Sequence, residues 1–250
     1  MYINDTHILT YLAILIIGGI VGKFMPWCNQ RLIDEKRVFS KDYFKEGKKQ
    51  KTNYWFVVIT AILYVAILYK FGLHFELQKD LSLLKYLILT PMLLSALTID
   101  YKLQIIPNRL NLTIFEIGLI FAFIYGATVN LNIAIDMLLG SLVGAGIFLL
   151  ITLIGGLIAG KEAMGFGDVK LMGALGLFLG LTNIIAISVM AFLIGAIASI
   201  VILVFKIKKK DEYIPFGPFI VIASFISMLV PFDILLVILL KIFTLGMYKG

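Results

Sequence analysis

Apolar runs long enough to cross a membrane recur along almost the whole chain. A spanning helix needs about 20 mostly apolar residues, because the hydrocarbon core of a bilayer is about 30 Å thick. With 61% hydrophobic residues and a mean hydropathy of +1.02, the 250 residues do not suit a water-soluble helical domain. We therefore predict an all-α fold, a polytopic bundle of about eight transmembrane helices. The predicted spans are 8–27, 54–71, 83–99, 110–127, 131–158, 171–182, 184–205 and 215–231, with an apolar tail at 234–246.

The basic residues predict the orientation of these spans. No Lys or Arg precedes the first run and no small-residue cleavage site follows it, so we expect a retained first span with its N-terminus outside. Alternation then makes 28–53, 100–109, 159–170 and 206–214 cytosolic. With Lys23 at the edge of the first, these segments hold 17 of the 22 Lys and Arg residues, as the positive-inside rule requires. We expect a multi-pass protein of the cell's inner (cytoplasmic) membrane and no nucleic-acid partner, since the net charge of +7 is spread over these loops.

The chain is predicted to divide at residue 53. Residues 1–53 hold the first span and a short basic cytosolic loop, and residues 54–250 form a membrane-embedded domain. The loop is either a solvated segment near anionic lipid headgroups or a grip for substrate or cofactor. Cys28 is the single cysteine, which excludes an intrachain disulfide and a cysteine zinc site.

Two aspartates lie at the ends of predicted spans on the same, cytosolic face. Asp100 ends an apolar run, and Asp168 closes a Gly-x-Gly-Asp sequence. Ionisable groups at membrane depth are costly and usually functional. Two carboxylates that converge on one water share a proton, so one activates the water while the other polarises a scissile carbonyl. This pair predicts an aspartic protease site that needs no cofactor and no metal.

The neighbours of Asp168 fit that chemistry. Gly165 and Gly167 remove side chains where a peptide backbone must approach, and they permit backbone angles closed to other residues. Asp168 begins a helix, whose N-terminal dipole favours the anionic form, and Lys170 is close enough to add to that field. Taken alone, Gly-x-Gly-Asp is also an ordinary helix cap.

Other ionisable groups have weaker grounds for a role. Glu116 lies about two turns into the fourth span, where it could be paired, protonated or in a watery crevice. Asp136 is expected toward the outer side. His7 and His74 also fall on the outer side, which argues against a histidine-assisted site. The sequence contains no metal-ligand cluster.

Three segments resemble the motifs of one family, the type IV prepilin peptidases, which are membrane aspartic proteases of the Gly-x-Gly-Asp class. Segment 160–176 is similar to the second aspartate motif almost throughout, with Ala163 where a Gly is usual. Asp100 with 106–110 is similar to the first motif, and 214–219 to a third at the start of the last main span.

The resemblance implies eight spans with both ends outside, and Asp100 and Asp168 as a catalytic pair facing the cytosol. It implies a prepilin or pseudopilin substrate of type IV pilus, type II secretion or DNA-uptake machinery, cut after a Gly between a short basic leader and an apolar helix. It also implies supporting or substrate-binding roles for eight residues: Gly165, Gly167, Lys170, Glu162, Pro107, Asn108, Pro215 and Gly217.

The N-terminal region departs from the family pattern. Many members carry a four-cysteine cytosolic insert that is missing here, and Lys23 and Pro26 replace the usual Ser and Asn. Many members also methylate the new N-terminus with S-adenosylmethionine, and this region is implicated. Methyltransferase activity, and S-adenosylmethionine as its cofactor, therefore stay open.

Two other functions remain as alternatives. A presenilin-like intramembrane protease shares the Gly-x-Gly-Asp element but has its first aspartate deeper in the membrane, whereas Asp100 is followed by a polar turn. A cation-coupled transporter would use Glu116 and Asp136, but transporters often show internal repeats and this sequence shows no convincing one.

Overall fold

The computed structural model describes residues 2–4, 6–36, 38, 52–160, 164–205 and 214–244. A short antiparallel pair, β1 (Tyr2–Ile3) and β2 (Thr6–His7), precedes the helices. The helices are α1 (Ile8–Ile33), α2 (Tyr54–Phe71), α3 (Leu77–Leu103), α4 (Asn108–Thr128), α5 (Leu131–Ala159), α6 (Phe166–Val204), α7 (Gly217–Leu229) and α8 (Phe232–Phe243). Six of them, α1 to α6, are long and apolar enough to cross a membrane. The predicted all-α polytopic membrane fold is confirmed.

The chain reverses direction inside α6. Gly180 has φ +78° and ψ 173°, a backbone conformation outside the helical region that glycine adopts readily. A Cβ added at Gly144 of α5 would touch Met172, before the break, and Ile184, after it. The ring of Phe148, one turn further along α5, contacts that of Phe192 at 5.5 Å. Residues 166–179 and 181–204 are therefore antiparallel arms of a helical hairpin.

This hairpin explains why the sequence predicts two spans, 171–182 and 184–205, where the structure has one element. At a rise of 1.5 Å per residue, an unbroken α6 would be about 58 Å long, far more than a bilayer needs. The first arm is only about 21 Å long by the same rise. Among the described residues, the two arms and α7 therefore occupy the places of the last three predicted spans, 171–182, 184–205 and 215–231.

Close packing of α5 on α6 depends on small residues. A Cβ at Gly140 would lie 2.7 Å from the backbone oxygen of Gly176. On the other side of the bundle, a Cβ at Gly18 of α1 would lie 2.8 Å from the Cα of Ala61 in α2. Inside a bilayer, helices associate through van der Waals packing, and glycines let two backbones approach closely.

Some predicted boundaries were wrong. The helix α1 continues to Ile33, so the loop does not begin at residue 28, and α3 begins at Leu77 instead of residue 83. Helices extend beyond the apolar stretch because backbone hydrogen bonds do not need a hydrocarbon environment. The apolar tail forms α8, which follows Pro231. Much of the basic loop, and segment 206–213, lie outside the described residues.

Candidate active site

Asp100 lies in the last turn of α3 and is buried, with 4% of its surface exposed. The helix ends at Gln104, which adopts a left-handed conformation with φ 57°. The backbone N–H of Gly217, the first residue of α7, donates to Asp100 Oδ2 at 2.9 Å. Because the first N–H groups of a helix lack partners within it, this end of α7 offers hydrogen-bond donors to a carboxylate. Asp100 is thus held by a helix 117 residues further along the chain.

Asp168 lies in the first turn of α6 and is equally buried. Gly165 caps this helix, and its carbonyl oxygen accepts a hydrogen bond from the Asp168 N–H at 3.0 Å. The side-chain Oδ1 of Asp168 is buried and has no hydrogen-bond partner among the described residues. A buried carboxyl oxygen without a partner is costly in an apolar surrounding. It is therefore a candidate for contact with a ligand or a reacting molecule.

The two aspartates come together at one end of the bundle. Their carboxylates are near enough to interact electrostatically. Ile106 packs between the segments that carry them: a Cβ at Gly167 would lie 3.3 Å from Ile106 Cβ, and one at Gly217 would lie 3.2 Å from Ile106 Cδ1. The site consequently combines α3, the loop before α4, the start of α6 and the start of α7.

The glycines next to the aspartates act through their small size. Gly165 has φ −66°, and Gly167 is not among the glycines with positive φ, so the expectation of backbone angles closed to other residues is wrong for both. A Cβ at Gly217 would lie 2.5 Å from Asp100 Oδ2. Real Cβ atoms do not approach an oxygen so closely, so a larger residue at position 217 would displace the Asp100 carboxylate.

Lys170 and Asn108 bind each other. The Lys170 ammonium donates to Asn108 Oδ1 at 2.7 Å and lies 5.3 Å from the ring centre of Phe166. The positive charge of Lys170, which was expected to favour the anionic form of Asp168, therefore also binds the start of α4. Pro107 is the N-cap of α4, and its carbonyl oxygen accepts hydrogen bonds from the N–H groups of Leu110 and Asn111.

Pro215 is buried just before α7, in the segment that brings Gly217 to Asp100. Between them, the ring of Phe216 packs on Phe192 at 4.9 Å and on Phe148 at 6.0 Å. These aromatic contacts attach the start of α7 to α5 and to the second arm of α6. The hairpin of α6 therefore supports both aspartates, carrying Asp168 on its first arm and packing against α7 with its second.

The remaining candidates lie elsewhere. Glu162 is outside the described residues. Glu116 is exposed on α4. Asp136 Oδ1 accepts a hydrogen bond from the Leu181 N–H at 3.3 Å, at the tip of the α6 hairpin, which is the end of the hairpin away from Asp168. His7 caps α1, also away from the pair. The described residues contain no cluster of three or more His, Cys, Asp or Glu side chains that could hold a metal.

Asn111 is a site residue that the sequence reasoning missed. It lies one turn into α4, is 3% exposed, and its Nδ2 donates to the carbonyl oxygen of Gly167 at 3.1 Å. Its Oδ1 is buried and has no partner in the part of the chain that the structure describes. A signal was available, because Asn111 follows Asn108 at helical spacing, one turn further along the same helix.

Fold and site together define a multi-pass helical membrane protein with a buried pair of carboxylates, the arrangement of side chains found in aspartic proteases. The comparison with known families agrees. The family model described as "Type IV leader peptidase family" matches residues 87–204. The matched stretch contains both aspartates and the first two of the three motifs, so the resemblance to this family is confirmed there, while the third motif, 214–219, lies beyond it.

Curated relatives carry the name "Prepilin leader peptidase/N-methyltransferase". The Aeromonas hydrophila protein is 31% identical over 172 residues, which are 69% of this chain and 56% of that protein. The Legionella pneumophila protein is 34% identical over 68% of this chain and 56% of its own length. The Xanthomonas campestris protein is 31% identical over 72% of this chain and 60% of its own length. The chain thus spans little more than half the length of these relatives. No solved structure matches it.

Proposed function

We propose that this protein is a membrane aspartic endopeptidase that removes the leader from prepilin-like proteins. The observation that carries the proposal is the convergence of two buried carboxylates, Asp100 and Asp168, from α3 and α6 at one end of the bundle. The names of the curated relatives support the substrate class. We take residues 54–250 as the peptidase unit and residues 1–53 as an accessory segment.

The hydrogen bonds suggest a different role for each carboxylate. Asp100 Oδ2 accepts the Gly217 N–H at the start of α7, and this donor stabilises negative charge on the oxygen. We assign Asp100 as the base that takes a proton from the attacking water. We assign Asp168, whose Oδ1 accepts no hydrogen bond from the described residues, as the protonated member that donates to the scissile carbonyl. As the resulting gem-diol collapses and the peptide bond breaks, Asp100 passes the proton that it took from water to the leaving amine, and Asp168 takes back a proton from a diol hydroxyl.

The proposed substrate crosses the membrane once and is cut after a Gly at the cytosolic face. The distribution of basic residues supports this orientation, since the four segments predicted on the side of both aspartates, with Lys23, hold 17 of the 22 Lys and Arg residues. A basic leader would remain in the cytosol while the apolar helix that follows it stays in lipid. A prepilin or pseudopilin has this arrangement.

The test is cleavage of a candidate prepilin by purified protein in detergent or liposomes. Asp100→Asn and Asp168→Asn should each remove cleavage while the protein remains folded. Glu116→Gln is the matched control, because it removes an acid from an exposed position on α4. If either aspartate variant cuts at the normal rate, the assigned pair is wrong.

The position of the cut distinguishes this proposal from an intramembrane protease, for which mass spectrometry would find cleavage within the apolar helix. A transporter is not favoured, since Glu116 is exposed and Asp136 is bound to the backbone of α6. Aspartate-dependent ion uptake into liposomes without proteolysis would reverse that conclusion.

Methylation of the new N-terminus is a separate, weaker proposal. It follows the names of the relatives, and we assign no residue of this chain to S-adenosylmethionine. Incubating the protein with prepilin and S-adenosylmethionine and measuring product masses tests both activities. Cleavage without the mass of one methyl group would assign the peptidase activity alone.

A further inference from the structure

A groove of about 810 Å³ runs along the bundle surface between α4, α5 and the first arm of α6. It begins beside the active site, where Phe166, Val169 and Lys170 flank Asp168 in sequence, and ends at Leu177. From Phe166 to Leu177 the helix rises about 16 Å, equal to three helical turns. Leu142 and Leu112, which line it, are 72% and 56% exposed, so the groove opens sideways toward lipid.

One buried polar atom in this lining has no hydrogen-bond partner among the described residues. Asn111 lines the groove, is 3% exposed and donates through Nδ2 to Gly167, so its orientation is determined by that bond. Its Oδ1 accepts no hydrogen bond from the residues that the structure describes. An unpaired buried acceptor is costly, and it needs an N–H or O–H donor to be satisfied.

The unpaired Asn111 Oδ1 distinguishes between two molecules that could fill an apolar groove in a membrane, a lipid acyl chain and an apolar helix. A lipid acyl chain has no hydrogen-bond donor and would leave Asn111 Oδ1 unpaired. A helix has up to four N–H groups in its first turn that no backbone carbonyl of the helix accepts, and Asn is among the preferred capping residues. In hydrocarbon these N–H groups have no water to bind.

We propose that this groove binds the first turns of the substrate's apolar helix, and that Asn111 Oδ1 caps the helix by accepting one of its free N–H groups. The proposal rests on the function proposed above and identifies the substrate-binding surface of the same site. Gly167, one residue before Asp168, is joined to Asn111, so the capped end of the helix lies next to the reacting bond.

A second groove, between α2, α3 and α7, does not share this feature. It has a volume of about 590 Å³ and is also mainly apolar. Its polar lining residues are Asn53, Thr98 and Lys102, and no buried side-chain oxygen or nitrogen among them lacks a partner. The unpaired acceptor therefore favours the first groove for the substrate.

The first experiment fills the groove without disturbing the core. A Cβ at Gly146, which lines the groove, would meet nothing within 4 Å, so Gly146→Phe places a ring in open space. The control is Ala196→Phe, at an exposed position on the second arm of α6 outside the groove. Binding is measured with a fluorescent synthetic peptide that joins a Lys-rich leader and a Gly to an apolar helix of about 20 residues.

These binding measurements use an Asp168→Asn background, so that they do not depend on cleavage. We expect Gly146→Phe to raise the peptide Kd about tenfold or more, since the buried apolar area is lost, and Ala196→Phe to leave it unchanged. An unchanged Kd for Gly146→Phe overturns the proposal. If Gly146→Phe loses co-purified lipid in native mass spectrometry while its peptide Kd is unchanged, the groove binds lipid and the proposal is also overturned. Failure of the parent enzyme to cut the peptide would contradict the proposed function instead.

The second experiment tests the cap. Each of the first four peptide N–H groups after the Gly is replaced in turn by an ester oxygen. We expect one position to weaken binding about fivefold, the effect of losing one hydrogen bond, and to have no further effect in Asn111→Leu. An ester effect that is the same with Asn and with Leu at position 111 would exclude the capping role.

Discussion

Two aspartates at opposite ends of the α6 hairpin have nearly the same local geometry. Asp100 accepts the N–H that begins α7, and Asp136 accepts the N–H that begins the second arm of α6. In each case a glycine adjoins the carboxylate so closely that a Cβ would overlap an oxygen, Gly217 in the first and Gly180 in the second. Both carboxylates therefore accept a hydrogen bond from the first turn of a helix, where no backbone carbonyl of that helix can do so.

What differs is the charge that each aspartate faces. Asp100 interacts with a second carboxylate, Asp168, whereas Asp136 interacts with the ammonium of Lys85. That ammonium is 4.8 Å from the ring centre of Tyr86 and 5.4 Å from that of Tyr125, which stabilise a buried cation. A carboxylate balanced by a cation stabilises a fold, while a carboxylate opposed by another retains a proton that chemistry can use. The comparison teaches that helix capping alone does not identify a catalytic aspartate.

The largest expected effect is that of Gly217→Ala on catalysis. The added Cβ displaces the Asp100 carboxylate, and a misplacement of about 1 Å lowers kcat about 100-fold. Gly19→Ala is the control, because its Cβ would make only an ordinary contact of 3.7 Å with Val57. Steady-state cleavage of prepilin measures both variants. A kcat within threefold of the parent would show that the Gly217 contact is not part of the active site.

Gly180→Ala should act on stability instead. An alanine at φ +78° costs about 1–3 kcal/mol, and its Cβ would overlap Asp136 Oδ2. The unfolding temperature in detergent, followed by labelling of the single cysteine Cys28, should fall, while the folded fraction cuts at the normal rate. An unchanged unfolding temperature, or a selective loss of kcat, would contradict the distinction between a stabilising role for Gly180 and a catalytic role for Gly217.

A smaller effect is expected from the charge pair at the tip. Lys85→Met, Asp136→Asn and the double variant form a thermodynamic cycle, and we expect a coupling free energy of about 1 kcal/mol in stability. Thermal unfolding of the four proteins gives this value. Additive effects would mean that Lys85 and Asp136 act independently, and that the tip is held by the Leu181 hydrogen bond alone.

The smallest expected effect is that of Asp136→Asn on cleavage. The amide oxygen can still accept the Leu181 N–H, so the kcat of the folded protein should stay within about twofold of the parent. The same change at Asp100 removes activity under the proposed mechanism. Equal losses at the two positions would assign Asp136 a part in catalysis.

The apolar runs and the motif spacing predicted most of the fold, including both arms of α6 as separate spans. Span length is a local property, because each helix must satisfy its own backbone in lipid. The same reasoning missed the extension of α1 to Ile33 and the start of α3 at Leu77, where polar residues continue a helix beyond the apolar run. It also assigned Gly165 and Gly167 a backbone role that their φ angles do not have.

The sequence by itself determined that Asp100 and Asp168 lie at the ends of predicted spans, on the same face of the membrane. The hydropathy of each span and the basic charge of each loop can be counted along the chain without knowing how the helices pack. Only the tertiary structure decided which groups meet them. The Gly217 N–H that Asp100 accepts lies 117 positions further along the chain. Ile106 packs between Gly167 and Gly217, and Asn111 of α4 donates a hydrogen bond to Gly167 of α6. Such contacts depend on how helices pack and where the chain reverses. Those are properties of distances in space, and no local pattern of residues contains them.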